Sequence, residues 1–167
     1  MITDVLRWQV LALFLLCCIA GCSDSSDNDP LVKDLCNIPE EDIQVNTTSA
    51  NIEFVQTPDA CFENLDAYPF SPNYLEVDGL RYHYVDEGPE EGEVVLMLHG
   101  EPSWSYLYRK MIPVLADAGY RVIAPDHIGM GRSDKPVDPR VHQFEQHVAW
   151  MKSFVNALGL TDITLFV

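Results

Sequence analysis

Apolar and polar positions alternate over Tyr74–Val77 and again over Leu80–Val85, and Asp78-Gly79 joins the two runs. Asp-Gly between alternating apolar residues is a strong short-range signal for a β-hairpin. Val94–Leu98 is continuously apolar, the pattern of a strand covered on both faces. The period then becomes helical. Trp104, Leu107, Tyr108, Met111 and Leu115 are spaced for one buried face, with an expected end at Gly119. Arg121-Val-Ile-Ala-Pro125 predicts another short strand. Phe144, Val148, Met151, Val155 and Leu158 form the stripe of a second helix ending at Gly159. Ile163–Val167 reads as a fifth strand. A hairpin followed by strand–helix–strand–helix–strand predicts an α/β fold with a mostly parallel sheet and right-handed crossovers.

The first 21 residues stand apart from this pattern. Arg7 lies in a short leading region, partly cancelled by Asp4, and Val10–Ala20 is an unbroken apolar run. That length suits the hydrophobic core of a signal peptide and is short for a bilayer span. Ile19-Ala20-Gly21-Cys22 resembles a bacterial lipobox, in which the Cys is acylated and becomes the mature N-terminus; ordinary signal cleavage nearby is the alternative. Ser23 after that Cys fits sorting to the outer membrane. The expectation is therefore a protein of the bacterial cell envelope, lipid-anchored through Cys22 and facing the periplasm. Two or more acyl chains hold a protein stably at a membrane.

Charge changes the picture in one respect. The net charge is −16, and residues 22–66 carry eleven acidic side chains against Lys33 alone. Ser23-Asp-Ser-Ser-Asp-Asn-Asp-Pro30 offers no apolar residue to bury, so residues 22–55 read as an acidic tether and residues 56–167 as the folded part. The chain lacks a basic patch, and no nucleic-acid partner is suggested. Of the five cysteines, Cys17 and Cys18 fall in the leader and Cys22 is the candidate lipid site. Cys36 and Cys61 remain, either as a disulfide in an oxidising compartment or as two free thiols. Neither has a Cys or His at ligand spacing, so no metal site is expected, and no cofactor is implied.

In a parallel α/β sheet the active groups gather at the carboxyl ends of strands. Two loops qualify. In His99-Gly100-Glu101-Pro102, Gly100 permits a sharp turn and close approach to a ligand, and Pro102 suits the first turn of a helix. The N–H of Glu101 is then placed to stabilise an oxyanion, whereas a bare strand-to-helix turn is the simpler alternative. His99 reads as structural, and the Glu101 side chain is left open. The second loop, Asp126-His-Ile-Gly-Met-Gly-Arg-Ser133, is no dinucleotide fingerprint, because it lacks the third Gly. Asp126, Gly129, Gly131 and Ser133 are expected to shape a tight loop supporting the site rim, with Trp104 and Trp150 as packing residues.

Longer blocks then coincide with a known family. Thr57-Pro-Asp59, Asn64-Leu-Asp66, Tyr68-Pro-Phe-Ser-Pro-Asn-Tyr-Leu75, His99-Gly-Glu-Pro102, Trp104-Ser-Tyr-Leu-Tyr-Arg-Lys-Met-Ile-Pro113, Val122-Ile-Ala-Pro-Asp126 and Ser133-Asp-Lys-Pro136 resemble the N-terminal part of a haloalkane dehalogenase. The likeness is to the branch of the α/β-hydrolase superfamily active on short haloalkanes such as 1,2-dichloroethane. Residues 1–55 match nothing in that family.

The resemblance implies a mechanism. An Asp carboxylate displaces halide from carbon to give an alkyl-enzyme ester, and a His oriented by an acid activates water to hydrolyse it. Two Trp indoles hold the halide, and two backbone N–H groups hold the ester oxyanion, one corresponding to that of Glu101. The substrates implied are a small haloalkane and water. The family's nucleophile turn would begin after Val167, so the chain reads as an N-terminal fragment, inactive by itself. An epoxide hydrolase or esterase of the same superfamily, or a non-catalytic lipoprotein, are the alternatives.

Overall fold

A computed structural model of the chain describes residues 36–167. The apolar leader, residues 1–21, and Cys22 lie outside the described residues.

Two sheets are present. The larger has five strands in the order β3-β4-β6-β5-β8: β3 (Asn73–Val77), β4 (Leu80–Glu87), β5 (Val94–Met97), β6 (Arg121–Pro125) and β8 (Thr164–Phe166). β3 and β4 form the expected hairpin, with Val77 opposite Leu80. Asp78 and Gly79 both take positive φ, 54° and 79°, as a two-residue hairpin turn matching the strand twist requires. β4 runs antiparallel to β6, while β5 is parallel to both β6 and β8. The sheet is thus parallel once past the hairpin.

Alternation along each strand builds two cores. Leu80 and Tyr82 of β4, Leu96 of β5 and Ile123 of β6 pack against Trp150 and Phe154. Their neighbours Val85, Val95, Met97, Val122 and Ala124 point the other way, onto Tyr108 and Ile112. The helices therefore cover opposite faces: α1 (Ile112–Asp117) one and α2 (Phe144–Ala157) the other.

Both helices depart from the expected stripes. The single helix expected from Trp104 is a 3-10 turn, Ser105–Tyr108, followed by the short α1. Pro113 explains the break, because it has no N–H to continue a helix from residue 109 and is tolerated only in a first turn. Consequently Tyr108 and Ile112 are buried, while Leu107 and Met111 are exposed. In α2 the buried side chains are Trp150 and Phe154. Phe144 and Val148, expected inside, are 78% and 50% exposed. The helix is apolar on two sides, and its Trp-bearing side gains the larger contact with the sheet. Both helix ends fall as expected, with Gly119 at φ 95° and Gly159 at φ 61°.

The smaller sheet corrects the boundary at residue 55. β1 (Asn46–Thr47) pairs with β2 (Glu53–Val55), and β2 pairs with β7 (Lys135–Pro136). Phe54 is buried in the core. A short strand with one deep aromatic is invisible to a composition argument, because acidic neighbours dominate the average. The segment from Cys36 to Val45 is exposed throughout, and a disulfide joins Cys36 to Cys61 with Cα atoms 5.3 Å apart.

Candidate active site

The two loops singled out from the sequence lie side by side at the carboxyl ends of β5 and β6. After β5, His99 is buried, and the chain turns through Gly100-Glu101-Pro102, closed by the Ser103 amide donating to the Gly100 carbonyl at 3.0 Å. The Glu101–Pro102 bond is cis. Pro102 sits in this turn and is exposed, not in a helix's first turn, because the 3-10 turn starts three residues later. Among the described residues, the Gly100 and Glu101 amides donate to no acceptor, and Glu101 is exposed. Gly100 has no positive φ, and a Cβ built there would meet nothing within 4 Å. Its expected role in a sharp turn is not needed by the described structure.

His99 serves as a brace. Its Nε2 accepts from the His127 amide at 3.0 Å, which places the proton on Nδ1, 3.0 Å from the Gly100 carbonyl. One ring thus joins the two loops, and burial pushes its pKa down.

The second loop is organised by Asp126, whose side chain is fully buried. Its carboxylate accepts three bonds of 2.8 Å, from the Ser105 amide, the Arg132 amide and His83 Nδ1. Burial alone would raise its pKa, but the hydrogen bond and charge of His83 and the two amides outweigh it, and the net direction is down. Ser133 Oγ accepts from the His83 amide and donates to the Asp126 carbonyl. Lys135 Nζ donates to the carbonyls of Gly131 and Ser133 at 2.7 and 2.9 Å, and burial lowers its pKa to about 8.

Gly131 has a distinct reason to be glycine. Its φ is 50°, and an added Cβ would lie 2.2 Å from Asp126 Oδ2 and 2.9 Å from the Trp104 Cβ. We expect Gly131→Ala to cost roughly 2–3 kcal/mol of stability, from the left-handed backbone and the overpacking together. Urea unfolding checks this, and a loss under 0.5 kcal/mol would contradict the geometry. Gly129, at φ 94°, similarly admits the His142 ring at 2.8 Å from a built Cβ.

An open groove of about 620 Å³ lies beside these loops, lined by Leu98, Glu101, His127, Met130, Val148 and Met151 among others. The outward stripe of α2 forms its apolar wall. Trp150 is a core residue, whereas Trp104 is half-buried and packs edge-on against Phe62 at 5.4 Å.

Sequence reasoning missed His83 and a row of histidines. His83 shares the β4 face of Arg81 and Val85, so period-two reading could have placed it inward under Asp126. His99, His127 and His147 follow one another with ring separations of 4.5 and 6.4 Å, and His142 lies 5.7 Å from His147. No sequence spacing signals that cluster. Burial first, then the charges of His99 and His147, lower the pKa of His127 to about 4. A histidine that resists protonation when folded supplies stability above its unfolded pKa of about 6.5, and that stability is lost as pH falls towards 4. We expect unfolding free energy to drop by roughly 2–3 kcal/mol between pH 7 and pH 4 from this residue, and His127→Leu to flatten the slope. Urea titrations across that window test it; a stability that holds constant to pH 4 would refute it.

Residues 93–167 match the model of the α/β hydrolase fold family. The strand order β3-β4-β6-β5-β8, with helices on both faces, agrees with that match. The chain has an α/β hydrolase fold. Over 120 residues this hydrolase-fold chain is 54% identical to a haloalkane dehalogenase of Psychrobacter cryohalolentis, a stretch that is 69% of the chain and 40% of that relative. A solved haloalkane dehalogenase from Paraglaciecola agarilytica NO2 superposes with a TM-score of 0.66 at 47% identity, covering 68% of this chain and 40% of that one. An epoxide hydrolase from Vigna radiata superposes with a TM-score of 0.53 at 32% identity, covering 57% of this chain and 30% of its own. The chain is thus a homologue of haloalkane dehalogenases, and it spans about 40% of the length of the curated relatives it matches.

Proposed function

We propose that the protein to which this chain belongs is a haloalkane dehalogenase, hydrolysing the carbon–halogen bond of small haloalkanes to an alcohol and halide. The observation that carries this is identity above 50% to proteins of that name over the stretch holding both loops. The lower identity to an epoxide hydrolase favours it over the epoxide reading. This chain's contribution is the His99–Pro102 turn, with the Glu101 amide as one donor to the oxyanion of the alkyl-enzyme ester. His99 and the Asp126 loop hold that turn in place. The complete gene product should release halide from 1,2-dichloroethane or 1-bromobutane. Absence of halide release from both, by a folded protein, would overturn the assignment.

We further propose that the enzyme is held at the cell envelope by acylation of Cys22, with residues 23–35 as its acidic tether. Mass spectrometry of the mature N-terminus should find a lipid-modified Cys22. Full release of unmodified protein into the soluble fraction would refute anchoring.

A further inference from the structure

The N-terminal extension is attached to the rim of the candidate site at one point, and that point can be opened chemically. From Cys36 to Val45 every residue is exposed, and the hydrogen bonds of the Pro39–Ile43 turn are local. Among the described residues, the disulfide to Cys61 is the one tie of this segment to the body of the protein. Cys61 is in the 3-10 turn Asp59–Phe62. That turn is fastened inward by polar contacts: Tyr74 Oη donates to Asp59 at 3.0 Å, and Arg132 Nη2 donates to the Phe62 carbonyl at 3.1 Å. The Arg132 guanidinium also lies 4.9 Å above the Phe62 ring.

Phe62 then meets Trp104, at 5.4 Å between ring centroids. Trp104 is the residue after the Gly100–Ser103 turn, its Cβ lies against Gly131, and the next amide, that of Ser105, binds Asp126. Contact therefore runs without a gap from the disulfide through Phe62 and Trp104 to the turn bearing Glu101.

We propose that the Cys36–Cys61 disulfide is a redox-operated clamp: oxidised, it immobilises the Asp59–Phe62 turn and, through Phe62 and Trp104, the turn carrying the Glu101 amide. Cys36 is exposed, so a dithiol can reach it. The reductant's thiolate attacks Cys36 Sγ, the S–S bond breaks, and Cys61 leaves as thiolate and takes up a proton. The second thiol of the reductant then displaces Cys36 and closes the reductant's own disulfide. Two electrons pass to the protein, which gains two thiols. The extension then enters the fold at β1 alone, and Phe62 loses its outer restraint. The significance of that turn for catalysis rests on the dehalogenase reading, whereas the clamp itself does not.

Amide hydrogen exchange of the expressed chain, oxidised and after dithiothreitol, separates the two. Exchange in residues 98–105 should rise at least fivefold on reduction, while residues 150–158 in the α2 core change less than twofold. In oxidised protein, Phe62→Ala should reproduce the rise and Phe62→Tyr should not. Unchanged exchange at 98–105, or an equal rise in both segments, would overturn the clamp. Because folded protein is reduced in place, the result does not depend on a cysteine variant folding. Halide release by the complete gene product is measured separately, and its absence bears on the activity alone.

Discussion

Asp126→Ala should cost about 4–5 kcal/mol, enough to leave a domain of this size largely unfolded at room temperature. The truncation strands the Ser105 amide, the Arg132 amide and His83 Nδ1, all of which point at one carboxylate inside a protein shell without solvent contact. Each buried donor left without a partner carries about 1–3 kcal/mol of desolvation. Removing one member of a buried ion-paired network is costly for the same reason, since the rest cannot return to water. Asp126→Asn should cost about half as much. Its remaining oxygen can still serve Ser105, while its NH2 group faces the Arg132 amide, donor against donor. The contribution of the carboxylate is also durable in acid: its folded pKa lies below the ordinary value, so its stabilisation is present above about pH 4 and is lost as pH falls through that lower folded value. Urea unfolding of both variants at pH 7 tests this. An alanine variant within 1 kcal/mol of the parent would mean that the network is dispensable.

Much of this fold could be read from period alone. The hairpin, β5 and β6 were legible because alternation and continuous apolar runs are direct consequences of burial on one face or two, and Asp78-Gly79 leaves few other turns open. The helices were legible in existence and not in orientation. An amphipathic pattern names an apolar stripe, yet Phe144 and Val148 show that α2 carries a second one, and only packing decides which meets the sheet. Pro113 was in plain view, and giving it its full steric weight would have split the first helix correctly. The strand at Glu53–Val55 was hidden because its partner, β7, lies about eighty residues on, and two or three paired residues leave no periodicity to detect. At the site, Asp126, Gly129 and Gly131 announced themselves as a turn-forming set. His83 did not, because its pairing with Asp126 depends on β4 lying next to β6, a fact of topology.

Glu101→Pro should lower kcat of the complete dehalogenase by about 100- to 1,000-fold, with a smaller change in KM, while Glu101→Gln should retain most activity. The distinction rests on which atom works. The Glu101 side chain is exposed and has no hydrogen-bond partner among the described residues, whereas its amide is a free donor on a turn fixed by the Ser103–Gly100 bond and by the His99 brace. Proline removes the N–H and keeps a backbone at that position; glutamine keeps the N–H and removes the charge. Loss of one preorganised oxyanion donor is worth about 3–4 kcal/mol in the transition state and little in the ground state, so the loss falls on kcat. The turn lies on the surface and buries no side chain at residues 100–102, so both variants should unfold within about 1 kcal/mol of the parent. A glutamine variant as inactive as the proline variant would shift the role to the carboxylate, which stands close enough to His147 to raise its proton affinity. Full activity in the proline variant would place the oxyanion elsewhere. The pair of substitutions assigns the turn's chemistry to backbone or side chain by a single comparison of rates.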